Sequence, residues 1–161
     1  MHHAAFSYVA RFRDDSALDV LDIGGRDING SCRPLFPHAS YLAVDLHDGP
    51  GVDIVADVAD WRTRKRFDLV ICTEVFEHTH AWPALVAAAY RVLRKNGRLV
   101  ATCAGPGRAP HSALDGGYVR HGEWYENVQA EKLAAAMAEV GFVDITVNEV
   151  GEDVQGTGVK P

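Results

Sequence analysis

The sequence contains no hydrophobic stretch that approaches the roughly 18 to 20 residues needed to cross a bilayer. Its first six residues lack the basic patch and the apolar core of a secretory signal. Its three cysteines are an odd number without CxxC spacing, which argues against a disulfide framework and against a zinc site. We therefore expect a cytoplasmic protein with reduced thiols and no membrane partner.

The sequence also lacks an excess of positive charge. The formal net charge at pH 7 is −6, so we expect no general attraction to nucleic-acid phosphates. We interpret the one basic run, residues 62–66, as a solvated loop face rather than an anion site. With 47% hydrophobic residues the chain differs from disordered proteins, and its 161 residues fit one domain spanning 1–161.

Short apolar runs alternate with helical patterns along the chain. Helices are predicted over 4–12, 81–93 and 129–140, and strands over 18–23, 41–45, 52–56, 67–72, 98–103, 142–150 and 154–160. Because parallel strands need long crossovers, usually helical, this alternation predicts an α/β, Rossmann-like three-layer sandwich with a mostly parallel sheet of six or seven strands. Ligands in such sheets bind beyond the carboxyl ends of the strands.

Two further segments carry separate predictions, one at the N-terminus and one after the predicted strand 98–103. Residues 1–16 are predicted to form an N-terminal helix that ends in a turn. Residues 104–121 are rich in glycine, proline and histidine. We expect an active-site loop there, because loops of that length in compact domains are usually functional or mobile.

Two glycines follow the first predicted strand. Gly24 and Gly25 have no Cβ, so the backbone can approach a ligand closely, although such a pair is as often only a tight turn. Asp45 ends the second strand, where a carboxylate can accept both hydroxyls of a ribose bound over the glycine turn. The GxGxxG pattern of dinucleotide enzymes is absent, because Arg26 and Asn29 occupy its third and sixth places.

Four landmarks occur in order along the chain: Asp22 with the two glycines, Asp45, Asp57-Val58, and Glu74-Val75-Phe76-Glu77-His78. This ordered set resembles class I S-adenosylmethionine-dependent methyltransferases, especially the small methyltransferase type 11 domains, over residues 18–150. The resemblance implies a last strand that runs antiparallel and an enzyme that transfers a one-carbon group.

The resemblance also implies where S-adenosylmethionine binds. Gly24 and Gly25 would face its methionine and sugar, and Asp22 would act indirectly on the methionine amine. The other cofactor-binding positions implied are Asp45 and Leu46 at the ribose, Asp57 and Val58 at the adenine edge, and Thr73 after the fourth strand.

The chain departs from the family pattern in the glycine loop, which is replaced by residues 26–31. Pro34 and Pro37 leave room for only a stunted helix before the second strand. The group that holds the methionine carboxylate is therefore open, with Arg26, Asn29 and Ser31 as candidates.

A metal site is a further hypothesis. If a helix begins near Thr73, Glu74, Glu77 and His78 fall at i, i+3 and i+4 and share one face. That spacing is similar to the metal sites of small-RNA 3′-terminal 2′-O-methyltransferases and of ubiquinone-pathway O-methyltransferases, and a further ligand would come from His111 or His121. We favour the alternative, in which no metal binds, the glutamate caps a helix and the histidine lines the pocket.

Histidines are also the candidate catalytic residues. His78 and His111 are the leading candidates for a base, because imidazole titrates near neutral pH, and pocket lining is their alternative role. Tyr118, Trp124 and Tyr125 would form an apolar wall for an acceptor, although the last two are equally suited to anchoring the last helix.

We expect methyl transfer from S-adenosylmethionine to an oxygen or nitrogen of a small-molecule or sugar-like acceptor. The alternatives are a nicotinamide (NAD-type) oxidoreductase and a non-catalytic module that binds S-adenosylmethionine. RNA is an acceptor only if the metal hypothesis holds. Because the chain has no room for a separate cap, either the long loop closes the pocket or a second subunit completes it in a homodimer.

Overall fold

The computed structural model describes residues 2–161. Three α-helices are present in that range: α1 (His3–Ala10), α2 (Trp82–Val92) and α3 (Ala130–Val140). The strands are β1 (Asp19–Ile23), β2 (Ser40–Asp45), β3 (Ile54–Val55), β4 (Phe67–Thr73), β5 (Leu93–Ala104), β6 (Val143–Val150) and β7 (Asp153–Val159). None of these helices is long and apolar enough to span a membrane.

All seven strands belong to one sheet, in the order β3-β2-β1-β4-β5-β7-β6. β1 to β5 pair in parallel, whereas β7 pairs antiparallel with both β5 and β6. The prediction of a mostly parallel Rossmann-like sheet with an antiparallel last strand is confirmed.

Helices and loops cover both faces of the sheet, because its central strands are apolar on both sides. Leu21, Val70 and Leu99 belong to a core cluster that also contains Leu133 of α3. The neighbouring residues on the same three strands, Val20, Ile71 and Val100, belong to a second cluster with Val9 of α1. This two-residue alternation is the physical basis of the three layers.

Strand register places the candidate site at one edge. Ile23 of β1 lies beside Val44 of β2 and Cys72 of β4, and Thr73 lies beside Thr102 of β5. The segments that follow β1, β2 and β4 therefore leave the sheet side by side.

The structure differs from the predictions in the segments between the strands. The condition of the metal hypothesis, a helix that begins near Thr73, is not met, since residues Phe76–His78 form a single 3₁₀ turn and α2 starts at Trp82. The predicted stunted helix after β1 is a 3₁₀ turn over Arg33–Leu35. The loop between β5 and α3 covers residues 105–129 and is longer than the predicted 104–121.

Candidate functional site

A tight turn at Gly24 joins β1 to the site. The Gly24 amide donates a hydrogen bond to the Val44 carbonyl oxygen (2.8 Å), and its φ is +73°. A Cβ built on Gly24 would lie 2.3 Å from Cγ2 of Val75. No side chain fits there, so the turn requires glycine, and it packs directly against the segment that follows β4.

Two adjoining cavities open at this edge of the sheet. The first has a volume of about 500 Å³ and extends from Asp22 and Thr73 towards Arg108 and His111. The second has a volume of about 490 Å³ and extends from Asp45 towards Trp124. The residues that line both are Gly24, Arg26, Ile28, Glu74, His78 and Ala113.

The second cavity gathers the residues predicted to bind adenosine. The Asp45 carboxylate accepts the amide hydrogens of Arg26 (3.3 Å) and His47 (2.9 Å), which fix its orientation towards the cavity wall. Asp57 likewise accepts the Ala59 amide hydrogen (2.9 Å). Leu46, 61% exposed, lies at the rim, and Val58 is buried in the lining with no acceptor for its amide among residues 2–161.

Asp22 is the buried carboxyl group of the first cavity. The Tyr41 hydroxyl donates a hydrogen bond to its Oδ2 (2.6 Å). Burial raises the pKa of Asp22 to about 6, against the opposing effect of that hydrogen bond. Gly25 and Thr73 line the same cavity, so the predicted methionine-binding positions also lie together.

An ionic cluster of His2, Glu74, Arg108 and Asp153 borders the first cavity. Glu74 has a left-handed backbone (φ +57°) that is unusual for this residue type. Its Oε2 lies 3.0 Å from both His2 Nε2 and Arg108 Nη1, and Arg108 also pairs with Asp153. Although burial favours its neutral form, these partners lower the pKa of Glu74.

The hypothesis that Glu74, Glu77 and His78 share a helical face is therefore wrong. Glu74 turns into the ionic cluster, whereas Glu77 and His78 lie near His111. The ligand atoms of these last three residues lie within 4.8 Å of one another. His121, the other proposed ligand, is exposed in the loop.

Glu77 and His78 carry buried polar atoms that lack partners. Glu77 is fully buried; its Oε1 accepts the Ala104 amide hydrogen (3.2 Å), and its Oε2 has no hydrogen bond within residues 2–161. His78 Nδ1 is buried and unpartnered in the same way. Burial and the charge of Glu74 raise the pKa of Glu77 to about 8, while burial and His111 lower the pKa of His78 to about 4. His78 is therefore a neutral imidazole near pH 7.

His111 and Tyr125 complete an aromatic cluster with His78. The ring centroids are 5.0 Å apart for His78 and His111 and 5.1 Å apart for His111 and Tyr125. His111 Nδ1 lies 3.2 Å from the Ala109 carbonyl oxygen, which only accepts, so Nδ1 carries the hydrogen. The His111 Nε2 atom lies 3.9 Å from Glu77 Oε1.

The three residues of the predicted aromatic wall lie in three different environments. Tyr125 packs on the two histidines, and Trp124 lines the second cavity with its ring 5.5 Å from that of His80. Tyr118 is 94% exposed and lines neither cavity. Only Trp124 of the three lines a cavity, and none of them lines the first cavity, so the structure does not bring them together as one wall.

Sequence reasoning missed the residues of the ionic cluster other than Glu74. His2 precedes α1, Arg108 lies in the long loop and Asp153 begins β7. They are distant in the chain and form no local motif. The sequence therefore carries no signal that these three residues meet.

Comparison with known proteins identifies the family. Residues 1–147 match the family described as methyltransferase domain. The chain belongs to the methyltransferase domain family. The resemblance to class I S-adenosylmethionine-dependent methyltransferases is thereby confirmed. No curated protein matches the sequence of this methyltransferase.

Solved structures share the fold of the methyltransferase. The 1,6-didemethyltoxoflavin-N1-methyltransferase of Burkholderia thailandensis, with its acceptor and S-adenosylhomocysteine bound, is 18% identical, with a TM-score of 0.71 over 98% of this chain and 77% of that one. Phosphoethanolamine N-methyltransferase 2 of Haemonchus contortus is 16% identical, with a TM-score of 0.73 over 98% of this chain and 52% of that one. A methyltransferase from Mesorhizobium loti is 15% identical, with a TM-score of 0.70 over 96% of both chains.

The pKa of Asp22 predicts a pH-dependent stability. Because it lies above the ordinary value of 3.8, the neutral carboxyl stabilises the fold below about pH 4, and this contribution is lost as the pH rises through about 6. Asp22→Asn should therefore gain stability relative to the wild type between about pH 4 and pH 7, by up to roughly 2–3 kcal/mol. Urea denaturation at several pH values measures this difference.

Asp60→Asn is the matched control, because Asp60 is exposed. Its unfolding free energy should follow that of the wild type at every pH. If the Asp22→Asn profile also runs parallel to the wild type, the pKa of Asp22 is not raised.

Proposed function

We propose that this methyltransferase moves the methyl group of S-adenosylmethionine to an oxygen or nitrogen of a small-molecule or sugar-like acceptor. The observation that carries the proposal is the pair of cavities that meet at Gly24 and His78. The second cavity is lined by the carboxylates of Asp45 and Asp57, which suit the hydroxyl and amino groups of adenosine. The first cavity is lined by the neutral imidazole of His78 and has space for an acceptor.

In this proposal the second cavity holds the adenosine of the cofactor. Asp45 accepts the ribose hydroxyls, and Leu46 covers the sugar at the rim. Asp57 and the Val58 amide bind the adenine edge. The methionine crosses Gly24 and Gly25 towards Thr73, and its amine lies near Asp22, whose ionised form a positive charge would favour.

The acceptor occupies the rest of the first cavity, next to His78 and His111. Its lone pair attacks the methyl carbon, the carbon–sulfur bond breaks, and the sulfur leaves as the neutral thioether of S-adenosylhomocysteine. The acceptor proton passes to His78, which is a neutral imidazole near pH 7, or to His111 beside it. The protein's main contribution is alignment and the exclusion of water.

Family membership favours methyl transfer over the nicotinamide oxidoreductase that the sequence left as an alternative. The names of the Burkholderia and Haemonchus proteins describe methylation of small molecules, which supports a small acceptor here. The non-catalytic alternative predicts cofactor binding without turnover, so the experiments below separate it from an enzyme.

The long loop supports closure of the site by the chain itself. Ala113, Leu114 and Trp124 already line the second cavity, so we favour a loop lid over a homodimer that completes the pocket. We also propose a cytoplasmic location, which the buried thiols of Cys72 and Cys103 support, since neither forms a disulfide.

Asp45→Ala should weaken binding of S-adenosylhomocysteine by tenfold or more, because a charged acceptor of hydrogen bonds contributes about 1.5–3 kcal/mol. Isothermal titration calorimetry measures the affinity. Asp60→Asn, which changes an exposed acid outside both cavities, should bind as the wild type does. No heat with the wild-type protein, or unchanged affinity after Asp45→Ala, would contradict the proposed cofactor site.

His78→Gln should lower turnover by about a hundredfold while S-adenosylhomocysteine affinity changes little, because general-base catalysis contributes roughly 10²–10⁴-fold. The readout is methyl transfer from labelled S-adenosylmethionine across a library of small alcohols, sugars and amines. His38→Gln, outside both cavities, is the control. Equal activity of His78→Gln and wild type would remove His78 as the base, and wild-type binding without turnover would favour the non-catalytic module.

A divalent cation at Glu77, His78 and His111 is a second candidate component. The specific observation in its favour is that two unpartnered buried atoms, Glu77 Oε2 and His78 Nδ1, belong to this one group. One carboxylate and two imidazoles form a donor set that suits zinc or manganese and leaves positions open. A cation bound there would acidify an acceptor hydroxyl.

The cation hypothesis predicts that excess manganese or zinc raises the melting temperature and that chelator reverses the shift. His111→Ala should abolish this response, whereas His121→Ala, which changes an exposed histidine of the same loop, should retain it. A wild-type melting curve that magnesium, manganese, zinc and chelator all leave unchanged removes the hypothesis.

A further inference from the structure

Arg26 extends its side chain to the junction of the two cavities and lines both of them. Its aliphatic stem packs on Gly49, where a Cβ would lie 2.7 Å from Arg26 Cδ. Its Nη2 donates to the carbonyl oxygens of Ala113 (3.3 Å) and Leu114 (3.2 Å). The guanidinium is therefore held in place between the β2–β3 segment and the long loop.

The positive charge of Arg26 has no counter-charge within residues 2–161. The other guanidinium that lines a cavity, Arg108, pairs with Glu74 and Asp153. No carboxylate oxygen of the described residues lies within the 4.0 Å ion-pair distance of the Arg26 guanidinium nitrogens, and its Nε is buried without an acceptor. Nη2 has two carbonyl acceptors, but a buried Nε–H without an acceptor is costly, so an anion at the junction would supply both the missing acceptor and a counter-charge.

We propose that Arg26 binds the carboxylate of the cofactor's methionine. This inference rests on the proposed function, in which the cofactor runs from the second cavity to the first. The carboxylate is the only anionic group of S-adenosylmethionine, and a guanidinium presents a planar fork of donors that matches it. The junction of the cavities is where the methionine must pass.

The other two candidates for this role are less suited. Asn29 is exposed and carries no charge, and the Ser31 hydroxyl already accepts the Arg33 amide hydrogen (3.1 Å). Arg26 in addition donates its own amide hydrogen to Asp45. One residue therefore orients the ribose acceptor through its backbone and meets the other end of the cofactor with its side chain.

The test compares two ligands on two proteins by calorimetry. The ligands are S-adenosylhomocysteine and decarboxylated S-adenosylhomocysteine, which keeps the amine and lacks the carboxylate. Arg26→Gln should weaken S-adenosylhomocysteine by about tenfold or more and leave the decarboxylated ligand unchanged. If both ligands lose affinity equally, Arg26 only positions the loop at Ala113 and Leu114. If neither ligand loses affinity, the Arg26 side chain contacts neither of them. Either result overturns the proposal.

Two further variants complete the design. Arg64→Gln removes the same charge from an exposed position and should bind both ligands as the wild type does. Arg26→Lys, which keeps the charge and loses the fork, should retain part of the preference for S-adenosylhomocysteine, and it replaces Arg26→Gln if that variant does not fold. A wild-type protein that binds neither ligand overturns the proposed function itself. If the wild-type protein binds S-adenosylhomocysteine, but the Arg26 variants prefer it over the decarboxylated ligand to the same extent as the wild type does, only the assignment of Arg26 is overturned.

Discussion

The close contact between Gly24 and Val75 is the constraint on which the rest of the site depends. β1 and β4 are neighbours in the sheet, so the segments that follow them leave the same edge together. Because Gly24 has a positive φ and no Cβ, Val75 packs directly against its backbone. The two cavities adjoin at this contact, since Gly24 and Glu74, the residue before Val75, line both of them.

Unpaired polar atoms are concentrated around this contact. Buried polar groups in folded proteins nearly always have hydrogen-bond partners. The four buried side-chain atoms without one in the described chain belong to Arg26, Glu74, Glu77 and His78. Of these, Glu74 has ion-pair partners in His2 and Arg108. Arg26 and His78 line both cavities, and Glu77 lies against His78 and His111. A cofactor, an acceptor or an ion can supply the missing interactions there, as expected of a site organised for ligands.

The fold could be predicted because its signals are local. Residues such as Leu21, Val70 and Leu99 lie in short β-rich runs, and such runs separated by crossovers specify a parallel sheet whatever the details of the loops. The helix near Thr73 on which the metal hypothesis depended does not form, and the reason is tertiary. Glu74 is held in a left-handed conformation by Thr102 and the ionic cluster, and these contacts outweigh the helical spacing of its neighbours.

The sequence by itself determined the sheet, the glycine turn and the carboxylates that end the strands. Strand periodicity, and the tendency of ligands to bind beyond the carboxyl ends of parallel strands, depend only on chain order. Tertiary structure alone decided which charges meet. His2, Arg108 and Asp153 come from three distant segments, and their ionic cluster separates Glu74 from Glu77 and His78. It also left the Nε of the Arg26 guanidinium without an acceptor among residues 2–161. Burial and charge pairing depend on the distances between side chains in space, and these distances arise only when the sheet and its loops have packed.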